Sequence, residues 1–169
     1  MAISRSSRRV FNNMAKNHAG VWFPPPLMFA LPLMAATAFN SARPWTISGH
    51  YPIELSIVGS LMIVSAIAIG VASVSRFWKA NTTILPAGQP TTAIVDRGPY
   101  RFTRNPMYLA MAGVYLGLSL LLNNVWALLF LPLVLSAVDH FVIRREERYL
   151  AAKFGEAYLN YRSRVRRWI

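Results

Sequence analysis

Four apolar runs of about membrane length limit what this chain can fold into. They lie at 21–39, 53–74, 107–122 and 125–143. Twenty helical residues cover about 30 Å, the thickness of a bilayer's hydrocarbon core. The runs therefore predict an all-α fold: a polytopic membrane helix bundle of about four spans. Composition agrees, since 54% of the 169 residues are hydrophobic and 14% charged, whereas soluble domains average about a quarter charged. Cysteine is absent, which removes disulfides, thiolate nucleophiles and cysteine-based zinc sites.

The formal net charge is +12, but the basic residues border the apolar runs. This places them against anionic lipid and argues against nucleic acid as a partner. With four spans, the tail 1–20, the loop 75–105 and the segment 144–169 share one side. They hold 4, 5 and 8 Lys/Arg, and the other side holds only Arg43. By the positive-inside rule both termini are expected in the cytosol, in a multi-pass protein of the cell (inner) membrane. The chain reads as one membrane domain: a basic tail (1–20), the spans (21–143) and a cytosolic amphipathic helix (144–169). Residues 7–11 imitate a twin-arginine export signal. Three prolines at 24–26 interrupt the apolar core such a signal needs, so the tail is expected to be retained.

Within this frame, 24–26 suit a first helical turn and Pro32 predicts a kink. Only Asn123-Asn124 separates the last two runs, which predicts a tight antiparallel hairpin. Gly113 and Gly117, four apart, open one face of the third span to close approach. After Ile143, residues Phe154, Tyr158, Tyr161 and Val165 recur at helical spacing. They predict an interfacial helix whose aromatics face the bundle, while Arg162, Arg164, Arg166 and Arg167 face lipid phosphates. Gly155 is placed to break that helix from the extension of the last span.

Ionisable residues gather on one membrane border in two groups. Residues 96–108 hold Arg97, Arg101 and Arg104, Tyr100 and Tyr108, with Pro99 and Pro106 restricting the backbone. So many donors on a restricted backbone suggest a shaped polar surface, half of a cofactor site. The other group is Asp139, His140, Glu146 and Glu147, which the expected hairpin brings alongside. Asp139 and Glu146 are seven apart and share a helix face, as do His140 and Glu147. Asp139 and His140 lie about one turn inside the border, where ionisable groups are candidates for catalysis. An equal alternative is that Asp139 pairs with an arginine and locks the bundle. No nucleophile set, phosphate loop or metal-ligand spacing appears.

Taken in order, Gly98-Pro99-Tyr100-Arg101, Arg104-Asn105-Pro106-Met107-Tyr108, an apolar hairpin, Glu146-Glu147-Arg148-Tyr149-Leu150 and Phe154-Gly155 form a pattern. It resembles the integral-membrane methyltransferases, the isoprenylcysteine carboxyl methyltransferase and phospholipid N-methyltransferase group, over residues 76–169. The family pattern has histidine where Asn105 stands and often glycine where Ala110 stands. The resemblance implies S-adenosylmethionine as cofactor, held at the cytosolic border. It implies Arg104, Asn105, Tyr108, Glu146 and Glu147, with Tyr100 beside them, as cofactor-binding residues. Asp139 or His140 would then orient or deprotonate the acceptor, a membrane lipid or other hydrophobic molecule entering sideways from the bilayer. Amine, carboxylate and thiol acceptors all suit such a pocket. Two other readings stay open: an NADPH-dependent membrane reductase of the sterol-reductase type, and a non-catalytic scaffold that keeps the fold.

Overall fold

The computed structural model describes residues 23–50, 53–80 and 92–169. The expected tail 1–20 and residues 81–91 of the expected loop 75–105 lie outside them. The described residues are helical, with no strand among them. Helix α1 is Pro25–Ala42, α2 Ile53–Lys79, α3 Pro106–Leu121 and α4 Val125–Val138. A π-helical turn, Asp139–Ile143, carries α4 directly into α5, Arg144–Phe154, and α6 follows at Glu156–Arg164. Two helices are long and apolar enough to cross a membrane: α2, and the continuous run Val125–Phe154, whose apolar part ends at Ile143. α3 is a shorter apolar helix.

Apolar side chains face outward as well as inward. Met34, Leu61, Val64, Val71 and Leu133 are all more than 60% exposed. A protein in water would bury such residues, whereas lipid leaves them where they are. The buried centre is Tyr115, Val134, Val138, Val142 and Ile143, at the meeting of α3 with α4 and the π turn.

α2 and α3 form the broadest helix contact. A Cβ added to Gly59 would stand 2.7 Å from the carbonyl oxygen of Gly117, and one on Gly117 would stand 2.7 Å from that of Gly59. A Cβ on Gly113 would meet the Ala66 methyl at 2.9 Å. Gly113 and Gly117 thus lie on the contact face, where only hydrogen lets the two backbones approach this closely.

Residues 122–124 join α3 to α4. Asn123 takes a left-handed φ of 48°, a conformation that asparagine tolerates. Asn124 caps α4 by accepting a hydrogen bond from the Ala127 amide, and its side-chain amide donates to the Ala36 carbonyl of α1. Trp126 donates to the Arg43 carbonyl and packs edge-on against Trp45, with ring centroids 5.0 Å apart. One end of the bundle is held by these polar turns and by tryptophans.

The opposite end departs from the sequence reading in three places. α2 runs five residues past its expected end at 74. Its last turn is held from outside: Arg76 lies over Gly98, and Phe77 packs edge-on against Tyr100 at 5.5 Å. Second, the expected break at Gly155 is present, but the interfacial helix after it stops before Val165, the last residue of the expected aromatic stripe. α5 prolongs α4, Gly155 turns the chain at φ +53°, and the helix ends again at Arg164. Third, the π turn adds one residue to the helical repeat. Asp139 therefore comes into line with Glu147, eight residues on, and both meet the same arginine.

The glycine contact gives a first test. Gly117→Leu would force α2 and α3 apart, and overpacking of this kind costs about 1–3 kcal/mol. The variant should unfold at clearly lower temperature in detergent, while Gly49→Leu, with open space around its Cβ position, should not.

Candidate functional site

The site begins with Gly98. Its φ of +65° and the following Pro99 bend residues 98–101 into a 3-10 turn that buries Tyr100. The Tyr161 hydroxyl donates to the Tyr100 carbonyl at 2.9 Å, tying this turn to α6. Pro106 then starts α3, where its missing N–H is harmless. Asn105, before the proline, is non-helical, and its amide donates to the Thr103 hydroxyl oxygen.

Across from this loop stand the two adjacent glutamates of α5, and they have different partners. Glu146 accepts a hydrogen bond from the Tyr108 hydroxyl at 2.7 Å. Among the described residues no cation lies within ion-pair distance of it. Glu147 is buried and shared by two arginines. Arg104 Nη2 lies 3.2 Å from its Oε1, and Arg167 donates to both oxygens, Nε at 3.0 Å and Nη2 at 2.7 Å. The hydrogen bonds to Glu147 hold the Arg167 guanidinium above its usual pKa, against burial. Glu146 lies in the polar extension beyond the apolar run. Burial pushes its carboxyl up to about 7; the Tyr108 hydrogen bond opposes this and the Glu147 charge adds to it.

Tyr100, Arg104, Asn105, Tyr108, Glu146 and Glu147 all line one cleft, with about 830 Å³ of empty space that is partly open to solvent. Phe77 of α2, Tyr149 of α5, and Tyr158 and Tyr161 of α6 complete much of its wall. Three buried polar atoms in this group have no hydrogen-bond partner among the described residues: the Tyr100 hydroxyl and the Nε and Nη1 of Arg104. Buried donors are normally satisfied, and each orphan costs about 1–3 kcal/mol. Donors left without a partner in a cleft can serve an acceptor group. Orphan guanidinium donors suit a carboxylate, an uncompensated carboxylate suits a cation, and tyrosine faces suit either a cation or a flat ring.

Asp139 and His140 do not line this cleft. Asp139 pairs with Arg144 at 3.1 Å and with Arg167 at 3.2 Å, and the His140 ring packs edge-on against Phe141. Both residues border a separate groove with Ser136 and Trp168. Arg167, expected to face lipid phosphates, turns inward instead, because two carboxylates there outweigh headgroups outside. Its place in the site was not legible in a run of four arginines. Tyr158 and Tyr161 were signalled by their helical spacing, and both are buried. Phe77 carried no signal, since it falls past the expected end of α2. No group of three or more metal-ligating side chains occurs among the described residues.

The family model for phospholipid methyltransferases matches residues 55–157, more than half of the chain. This chain belongs to the phospholipid methyltransferase family. The match runs from α2 into α6 and takes in all six cleft residues named above, but stops short of Arg167. At 26% identity, the chain is similar to the cobalt-zinc-cadmium resistance protein CzcN of Cupriavidus metallidurans, over 89% of this chain and 62% of that protein. It is 28% identical to the nickel-cobalt-cadmium resistance protein NccN of Alcaligenes xylosoxydans xylosoxydans, over 59% of this chain and 46% of that protein. An uncharacterized protein of Haemophilus influenzae is 40% identical over its whole length, which covers 37% of this chain. The chain thus spans less than two thirds of either metal-resistance relative. No solved structure matches it.

The Tyr108–Glu146 bond can be tested directly. Tyr108→Phe removes a donor that favours the ionised carboxylate, so Glu146 should titrate higher than about 7. Infrared titration of the protonated carboxyl band, assigned with Glu146→Gln, reads this shift. A band that titrates unchanged in the phenylalanine variant would show that the bond does not act on Glu146.

Proposed function

We propose that this chain transfers a methyl group from S-adenosylmethionine to a lipid-like or hydrophobic acceptor at the cytosolic face of the membrane. The observation that carries this reading is the juxtaposition, in one cleft, of two Arg104 donors and a Glu146 carboxylate that have no hydrogen-bond or cation partner, respectively, among the described residues. An amino-acid zwitterion needs that pair of opposite charges, and a sulfonium adds a second cation for Glu146 and the tyrosine faces. When bound, the cofactor supplies an electrophilic methyl whose bond to sulfur breaks as the acceptor's lone pair forms the new one. Arg104, with Tyr100 beside it, would hold the carboxylate end. Glu146, oriented by Tyr108, would face the cations. The walls of the cleft exclude water and restrict the acceptor's approach, which is most of what methyl transfer asks of a protein.

In this reading α1 to α4 are four spans, with α3 and α4 a tight hairpin and both termini in the cytosol. The whole chain is one membrane domain in the inner membrane, and α5 and α6 stand at the cytosolic border. The acceptor comes from the bilayer and the cofactor from the cytosol. Asp139 and His140 act on neither. Asp139 instead anchors Arg167.

Calorimetric titration of the folded, detergent-purified protein with S-adenosylhomocysteine tests the assignment. The ionised form of Glu146 is the one that holds a ligand cation, so binding favours proton release. Affinity should rise with pH through about 7, by roughly tenfold between pH 6 and pH 8. Glu146→Gln should bind weakly and lose that dependence. Folded wild-type protein that ignores S-adenosylhomocysteine would sink the reading, and NADPH would then be the titrant for the reductase alternative.

A further inference from the structure

The last residues of the chain lie outside the family match, yet they are bonded directly to residues of the site. Val165 leaves α6 in an extended conformation. The chain then runs back across the loop before α3. The Arg166 carbonyl accepts the Arg104 amide at 2.9 Å. The Arg167 carbonyl accepts two bonds, from the Thr103 hydroxyl at 3.0 Å and from the Asn105 side-chain amide at 2.9 Å. The Arg167 guanidinium then spans Glu147 and Asp139. Five interactions thus fasten a two-residue strap to residues 103–105, to α5 and to the π turn.

We infer that Arg167 is a positioning residue that commits Glu147 to the protein and so aims Arg104 at the ligand. This inference rests on the proposed function, and it divides the two neighbouring glutamates by role. Arg167 occupies both oxygens of Glu147 in a fork, the strong geometry for this pair. Only the edge of Oε1 remains for Arg104, which reaches it through Nη2 alone. Arg104 is thereby pinned at Nη2 and also engages Tyr158, while its Nε and Nη1 have no hydrogen-bond partner among the described residues. Without Arg167, Glu147 would be free to take Arg104 bidentately, and the donors meant for a ligand would be spent within the protein. Asn105 acts in the same device: its amide holds the strap rather than projecting as a free donor. Asparagine does this without a titratable ring, which gives a physical role to the residue standing in place of the family histidine.

The test compares wild type, Arg167→Met, Glu147→Gln and the double variant by S-adenosylhomocysteine calorimetry, with thermal unfolding as the check on folding. Arg167→Met should weaken binding by about tenfold or more while remaining folded, since it removes the fork that keeps Arg104 free. The double variant should lose no more than the worse single, because both changes break one device. Arg167→Lys, a point charge without a fork, should not restore wild-type affinity. Tryptic cleavage after Arg167, followed by mass spectrometry without any ligand, reads the strap itself: slow in wild type and fast in Glu147→Gln. Folded Arg167→Met that binds as tightly as wild type overturns this inference and leaves the proposed function standing. Independent, multiplying losses in the double variant overturn it too. Wild type that binds no S-adenosylhomocysteine, even with a protected strap, overturns the proposed function and the positioning role together.

Discussion

One buried carboxylate, Glu147, holds the membrane-border end of this protein together. It joins three separate pieces of chain: the loop before α3 through Arg104, the C-terminal strap through Arg167, and its own helix α5. A carboxylate with an 8% exposed side chain is tolerable only with its charge matched and its lone pairs occupied. Breaking such a pair typically costs about 3–5 kcal/mol. Here a second arginine would remain, so the loss falls at the low end. Two arginines on one glutamate leave an excess positive charge, and Asp139 offsets it from one helical repeat below.

That arrangement depends on the π turn. In an unbroken α-helix, residue 139 would share a face with 146, and 140 with 147. The added residue rotates everything beyond it by about 100° relative to α4. Asp139 and Glu147 then face the strap while Glu146 faces Tyr108 and the cleft. One extra residue therefore separates the two carboxylates that pair with arginines from the one that faces Tyr108 and the cleft. π turns often accompany functional sites for this reason: they change register without ending the helix.

The cleft lies where polar and apolar halves of the molecule meet. α2 and α3 pack backbone to backbone through Gly59, Gly113 and Gly117, so Phe77 at the end of α2 can reach Tyr100 beside the start of α3. Below that level the outer surface is aliphatic. Above it are the arginines, glutamates and tyrosines. The proposed reaction needs such a border, since a lipid acceptor and a charged donor are soluble on opposite sides of it.

The helices could be read from the chain because hydropathy is a local property. The runs near 21–39, 53–74, 107–122 and 125–143 correspond to α1 to α4 within a few residues, and Gly155 does end α5. Clustering of Tyr100, Arg104, Asn105, Tyr108, Glu146 and Glu147 was also foreseeable, since short connections bring the start of α3 near the end of α4. Other features had no local signature. The last turn of α2 is stabilised by a loop more than twenty residues away, the π turn by packing around Val142 and Ile143. Arg167 looks like its three arginine neighbours until the chain folds back and only it meets two carboxylates. The sequence by itself determined which segments are apolar helices and which border carries the ionisable groups, because burial in lipid depends on each residue's own chemistry. Only the tertiary structure decided which charges pair and which face the cleft, because pairing depends on distances between residues far apart in the chain.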